Sequence, residues 1–196
     1  EEKLIQERTK RVRPFFDDKS QTDLNAFILD TLIGSSIVLG DNDLKNEAMS
    51  TLEIISKKLS NKIYHCYDST EIDAFLEDYV YYAMLLVTLY EVNGDEKSLE
   101  KAINIMKEIW EIFYNKDTQL LQKNKIKDND LFVSPIDLND SNIPNGNSIY
   151  LNLCNKIYII TNDKFWFDKV EILKKSFHQV LNSFFSQMFS FIKVLD

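Results

Sequence analysis

Two kinds of helical segment alternate along this chain, and that alternation limits the fold more than any other feature. Residues 22 to 39, TDLNAFILDTLIGSSIVL, are apolar on nearly every side at helical spacing, so a helix there must be enclosed by others. The next segment, from about Asp43 to Leu59, is one-faced. Leu44, Ala48, Met49, Leu52, Ile55 and Leu59 form a stripe, and Lys45, Glu47, Glu53, Lys57 and Lys58 occupy the remainder. The pair then repeats. Residues 71 to 92 are apolar all round, with Asn93 and Gly94 suited to a left-handed cap. Residues 95 to 114 carry Leu99, Ala102, Ile103, Met106, Ile109, Trp110 and Phe113 on one stripe. A third pair begins at about Asn147, and its outer helix runs from about Asp163 to Ile192 with Trp166, Val170, Leu173, Phe177, Val180 and Leu181 aligned.

The expected fold class is therefore all-α: a partial α/α toroid of about three inner-outer helical hairpins, in which amphipathic outer helices shield buried inner ones. A helical bundle or solenoid can also alternate burial and is the alternative architecture. Only four glycines and three prolines interrupt 196 residues that are 44% hydrophobic, which suits a single helical domain over 1–196. The break between the second and third pairs, residues 115 to 146, is too long for a simple connection. Its short apolar pieces, QLLQ and LFVS, predict a small β-hairpin near 118–135.

Charge and cysteine usage remove several functions. A net charge of -8 opposes nucleic-acid binding, and the one basic cluster, KRVR at 10 to 13, is short and adjoins acids. Cys66 and Cys154 stand alone, so neither a disulfide framework nor a metal site is expected, and no cofactor is implied. No run is read as approaching the roughly 18 apolar residues of a membrane span, and the charged start lacks a signal-peptide core. A cytoplasmic protein without a membrane or nucleic-acid partner is the expectation.

Polar clusters adjoin the start of each all-round apolar helix. The first contains Asp17, Asp18, Lys19, Thr22 and Asn25, the second Glu77, Asp78 and Tyr79, and the third Asn145, Gly146, Asn147 and Ser148. If the inner helices run parallel, all three open onto one mouth, the usual arrangement of a binding site. Capping accounts for part of this: Thr70 with Asp73 fits a capping box, and Thr22, Asn147 or Ser148 can cap their own helices. With a helix starting near residue 71, Glu77 and Asp78 fall about two turns inside it, beyond the orphan amides. They must then face a wet cavity, meet a cation such as Lys19, or accept several hydrogen bonds. Asp17 or Asp18 with Glu77 or Asp78 could work as a catalytic carboxylate pair on a glycosidic bond. The other reading is a structural network in which Lys19 joins the acids of neighbouring hairpins. His178 reads as structural. His65 could reach the mouth, but a loop or surface position is the reading adopted for it.

The motifs RVRPFFDDKSQTDLNAF, FLEDYVYYAMLLVTLYEVNGD and DLNDSNIPNGNS, in this order, resemble the helical region of thioredoxin-domain-containing proteins related to spermatogenesis-associated protein 20 and bacterial YyaL. The resemblance spans almost the whole chain. It implies a six-hairpin toroid similar to glycosidases and sugar isomerases, of which only about three hairpins are present, with no thioredoxin-like part. It also implies a carbohydrate-related pocket at the N-terminal ends of the inner helices, with Asp18, Glu77 and Asp78 as catalytic candidates. Asp17, Lys19, Asn25, Tyr79, Asn147 and Ser148 are the ligand-binding candidates. The sequence departs from the family pattern at Leu24 for Trp, Ala26 for Gly and Asn145 for Ser, and DTQLLQK replaces a Gly-Gly-Phe element. Two functions therefore stay open: a site for a carbohydrate-like small molecule, and a non-catalytic interaction module or degenerate fragment whose acids lock hairpins together. An open toroid leaves inner-helix flanks exposed, which favours a homo-oligomer or association with the missing portion.

Overall fold

The computed structural model describes residues 2–68, 72–125 and 133–194. Their elements are α1 (Glu2–Thr9), α2 (Thr22–Leu39), α3 (Asn42–Lys58), α4 (Leu76–Asn93), α5 (Glu96–Phe113), β1 (Tyr114–Asn115), β2 (Leu120–Leu121), α6 (Gly146–Thr161), α7 (Lys164–Phe184) and α8 (Phe189–Ile192), with a 3-10 turn at Phe185–Gln187. Helices α2, α4 and α6 are the inner members of three hairpins. Helices α3, α5 and α7 are the outer ones. Helix α4 packs between α2 and α6 and beneath α5, which explains why a segment apolar on all sides is stable there. Eleven of its residues are buried, Tyr81, Tyr82 and Val87 completely. At about 1.5 to 3 kcal/mol for each large apolar side chain, this helix anchors the core.

All three hairpins turn in the same way. Each inner helix ends on a residue with a left-handed backbone, Gly40 (φ 67°), Gly94 (φ 68°) or Asn162 (φ 54°). The next residue is always an aspartate that caps the outer helix: Asp41 accepts from the Leu44 amide at 3.0 Å, Asp95 from Lys97 at 3.2 Å and Asp163 from Phe165 at 3.0 Å. Such a cap contributes about 1 kcal/mol, and the aspartate's charge complements the helix N-terminus. Because the turns are tight, inner and outer helices are antiparallel. The inner helices consequently start at one common end of the domain.

Three boundaries differ from the sequence expectation. Helix α4 starts at Leu76, because residues 72–75 are extended and Asp73 pairs with Tyr64 across an antiparallel bridge. The third outer helix stops at Phe184 and the chain folds back. Met188, Phe191 and Val194 are buried, Phe191 stacks on Phe177 at 4.4 Å, and Asp140 accepts from the Ser190 amide at 2.7 Å to start α8. The hairpin lies at 114–121, with Tyr114 opposite Leu121 and Asn115 opposite Leu120. Leu131 and Phe132 of the LFVS piece, and the Thr70 cap, lie outside the described residues.

Helix α2 occupies the open flank. Leu24, Ile28, Ile37, Val38 and Leu39 are exposed although the opposite face, Ala26, Leu29 and Ile33, is buried. Contrary to the sequence expectation, its 18 residues and mean hydropathy of 1.3 make it long and apolar enough to cross a membrane by length and composition; here it packs on α3 and α4.

Candidate functional site

At the common end of the inner helices lies a cleft of about 430 Å³, bordered by Gln21 and Asp23 from the start of α2, Phe75 and Glu77 from the start of α4, and Asn145 before α6. His65 lines it from the connection between α3 and α4, and Lys123, Asp137 and Asn139 line it from the excursion after β2. Two larger grooves, of about 610 and 630 Å³, lie over α3 and α5 and along the N-terminal arm. Neither brings buried titratable groups together.

Backbone pairing places His65. The Thr22 amide donates to the His65 carbonyl at 2.8 Å, the Thr22 hydroxyl to the Tyr64 carbonyl at 2.6 Å, and the His65 amide to Ile72 at 3.2 Å. The segment is thus clamped between the entry to α2 and the entry to α4, and the imidazole is delivered to the mouth. The residue does stand in a connecting loop, as one sequence reading had it, but it lines the cleft instead of lying at the open surface. No local motif marks the residue; the only signal is its place in a connection between an outer helix and the next inner one.

The adjacent acids divide into two roles. Asp78 is completely buried and stands at the third position of α4, not two turns inside it. Its carboxylate accepts from the Phe75 amide at 2.8 Å, the Asp23 amide at 3.1 Å and the His65 Nδ1 at 3.1 and 3.2 Å. One side chain therefore satisfies the first turns of both α4 and α2. Burial pushes its pKa up to about 6, against the opposing pull of the Phe75 amide and of His65; nearby Asp23 adds to the rise. Successive helical residues point about 100° apart, so Glu77 turns toward the cleft instead. Its Oε2 is shielded from solvent and has no hydrogen-bond partner among the described residues; burial raises its pKa, a hydrogen bond with its own backbone and nearby Lys123 oppose the rise, and Asp137 and Asp78 add to it. Gly146, at the start of α6, admits this arrangement. A Cβ there would meet Leu76 at 3.1 Å and the Glu77 Oε1 at 3.3 Å.

The other sequence candidates are placed as follows. Asp17, Asp18 and Lys19 lie on the exposed arm before α2, where Lys19 pairs with Asp17 at 2.7 Å and with neither Glu77 nor Asp78. Asn25 bonds back to the Gln21 carbonyl at 2.7 Å. Tyr79 is buried toward α5, its hydroxyl 3.3 Å from Glu108 and its ring edge-on to Phe113. Asn147 accepts from the Leu121 amide at 2.8 Å and donates to the carbonyls of Leu121 (2.9 Å) and Asp137 (3.1 Å), pinning the β-excursion to α6. Ser148 is tied to Asn145 by two bonds of 2.9 Å. Of the nine candidates, Glu77 is the one that borders the cleft; Asp23, His65, Lys123 and Asp137 border it without having been selected from sequence.

Ligand atoms of Asp23, His65 and Asp78 lie within 4.8 Å of one another, a spacing that could hold a metal ion. Both Asp78 oxygens already accept from backbone amides and His65, so the arrangement is a hydrogen-bonded relay. Cys66 and Cys154 are buried and unpaired, and burial raises both thiols, which disfavours thiolate chemistry.

No family model matches the sequence, and no curated protein matches it. Among solved structures, the chain is similar to the GH76A α-1,6-mannanase of Salegentibacter sp. HEL1_6, with a TM-score of 0.66 and 16% identity over 82% of this chain and 47% of that one. An inactive variant of the same enzyme with two consecutive aspartates replaced by asparagine, in complex with α-1,6-mannotriose, matches with a TM-score of 0.66 and 15% identity over 81% of this chain and 47% of that chain. A third match is the variant with alanine at those two positions, in complex with α-1,6-mannotetrose, again with a TM-score of 0.66 and 15% identity, over 82% of this chain and 47% of that one. At this identity the likeness shows the fold alone, an α/α toroid of which this chain holds three hairpins. The chain spans about half the length of the structures it matches.

Proposed function

We propose that the chain is a carbohydrate-recognising portion of a six-hairpin glycosidase-like toroid, with a saccharide seated in the cleft at the inner-helix N-termini and Glu77 as its proton donor. The observation that carries this reading is the Glu77 carboxyl: it borders the cleft, lacks a hydrogen-bond partner at Oε2 among the described residues and is pushed toward its protonated form by burial. A general acid in glycoside cleavage needs those properties. The solved neighbours are α-1,6-mannanases, and loss of two consecutive aspartates accompanies inactivity in them, so mannooligosaccharides are the first ligands to try. The proton-donor role is assigned to Glu77 rather than to Asp18, which sits on the exposed arm.

The ordered motifs and the toroidal fold together support membership of the YyaL-related group. The two unpaired cysteines suit a reducing, cytoplasmic setting. Thermal shift of the wild type and Glu77→Gln with α-1,6-mannotriose tests the reading. Stabilisation of the wild type that the variant loses supports it, and no shift in either refutes it.

The exposed apolar flank of α2 favours a second reading, in which the chain is an interaction module completed by the remaining hairpins or by another copy. Sedimentation velocity discriminates. Self-association abolished by Ile28→Glu and Val38→Glu supports this reading, and a monomer at high concentration opposes the second-copy form of it.

A further inference from the structure

We infer that the N-terminal arm, residues 2–20, docks on the bare apolar flank of α2 in a second copy of this chain, and that the exchange is reciprocal. This contact rests on the second-copy form of the interaction reading, gives it a physical basis, and is independent of what the cleft binds.

Two apolar surfaces among the described residues are left without a partner. One is the flank of α2, where Leu24, Ile28, Ile37, Val38 and Leu39 are exposed. The other is the arm. Helix α1 buries none of its residues, and Val12, Phe15 and Phe16 keep 99, 86 and 81% of their surface in solvent, so the arm packs on almost nothing of its own chain. Burying such side chains is favourable wherever they meet a complementary surface. The shape of the arm suits a clasp. A concavity of about 630 Å³ lies between α1 and the segment that follows it, and all of its lining residues, Ile5, Arg8, Val12 and Phe15 among them, belong to the arm.

Charge points to the occupant. Residues 8 to 16, RTKRVRPFF, carry four cations and no acid. Lys10 is taken by Glu7 at 2.5 Å, whereas Arg8, Arg11 and Arg13 have no ion pair among the described residues. Helix α2 has the opposite character: it holds Asp23 and Asp30 and no Lys or Arg, and Asp41 and Asp43 follow it. A surface that receives the arm must be apolar and acidic. A segment that covers the flank must be apolar and basic. Each of these two surfaces meets the requirement of the other.

The base of the arm explains why the partner is a second copy. The Ser20 amide donates to Asp68 Oδ2 at 3.2 Å, the Tyr67 amide donates to the Ser20 carbonyl at 3.1 Å, and Gln21 pairs with Cys66 across an antiparallel bridge. These bonds tie the arm to the connection between α3 and α4, and with that anchor in place the flank of its own α2 stays bare. A second copy is free of the anchor. A two-fold arrangement covers both arms and both flanks together and leaves neither for a third copy.

Sedimentation velocity of the full chain over a wide concentration range should show a dimer. Phe15→Ser with Phe16→Ser should weaken it about 10-fold or more. Arg8→Glu, Arg11→Glu and Arg13→Glu together should also weaken it and remove the loss of affinity that added salt causes in the wild type. All five side chains are exposed, so the melting temperature of the monomer should not change. A chain carrying both Phe16→Cys and Ile28→Cys, treated with a short bismaleimide, should link between copies, because Cys66 and Cys154 are buried. A dimer that Ile28→Glu and Val38→Glu abolish but both arm variants retain overturns the inference and leaves the flank reading intact. A link formed within one chain overturns it in favour of the arm's own α2. A monomer that binds phosphatidylserine vesicles through the arm overturns it in favour of a membrane surface. A wild type that neither dimerises nor binds vesicles overturns both the inference and the second-copy reading.

Discussion

Replacing Asp78 by Asn tests the electrostatic account of the cleft, because the change keeps the shape and removes the charge. In the wild type each carboxylate oxygen faces a backbone amide, from Asp23 and Phe75, and both face the His65 Nδ1. An asparagine supplies one oxygen and must turn its NH2 toward an N–H donor. Where Asp78 is ionised, losing one charge-assisted bond and leaving a buried donor unmet adds a cost to the variant. The opposing effect is pH-dependent. A carboxyl lifted from 3.8 to about 6 in the fold favours the native state most when protonated. Its contribution is fully present below about pH 4 and is lost as pH rises through about 6. At about 1.4 kcal/mol per pKa unit, roughly 2 kcal/mol of wild-type stability disappears between pH 4.5 and 7.5 on this account, and the asparagine variant has no such loss. Urea unfolding of both proteins at pH 4.5, 6 and 7.5 should therefore show a gap that is about 2 kcal/mol smaller at pH 7.5 than at pH 4.5. Taking the difference between the two proteins cancels the titrating groups that do not contact residue 78. A gap that stays constant or widens with pH would refute the reasoning, since it would mean that amide and imidazole donors hold Asp78 ionised more strongly than burial neutralises it.

Glu77→Gln should behave in the opposite way at neutral pH. The side chain has no ion pair among the described residues and a pKa raised by burial, so the neutral amide leaves the melting temperature unchanged or higher at pH 7.5. A large drop in calorimetry would instead reveal a structural network. Asn147→Ala removes all three bonds that pin the β-excursion, and chemical denaturation should show a loss of about 2 to 4 kcal/mol with increased amide exchange at Leu121. Unchanged exchange would show that the excursion is held by other contacts. Gly146→Ala should cost about 1 to 3 kcal/mol by pressing a methyl group on Leu76 and Glu77, and a neutral result would mean that the start of α6 shifts freely.

The sequence by itself determined the elements and their pairing. Three all-round apolar segments can be stable only when enclosed, and three one-faced segments can enclose them. The repeated junctions Gly40-Asp41, Gly94-Asp95 and Asn162-Asp163 write each hairpin turn in local chemistry, a left-handed residue followed by a helix cap. These features are legible because they depend on neighbours within a few residues. The roles of the polar groups were decided only by tertiary structure. Asp78 and Glu77 are adjacent in sequence, yet the helical rotation sends one into a buried relay between α2 and α4 and the other to the cleft. The start of α4 differs because Ile72 and Asp73 pair with the connection at Tyr64 and His65, a partner that periodicity does not register. His65 gives no local sign of its place, since strand pairing with residues 20 to 22 and 72 to 73 brings it to the mouth. Asn147 looked like a ligand contact, but all three of its bonds go to backbone that lies 10 and 26 residues earlier. A side chain's hydrogen-bonding capacity is written in its type. Whether protein or ligand uses that capacity depends on which distant backbone the fold brings beside it.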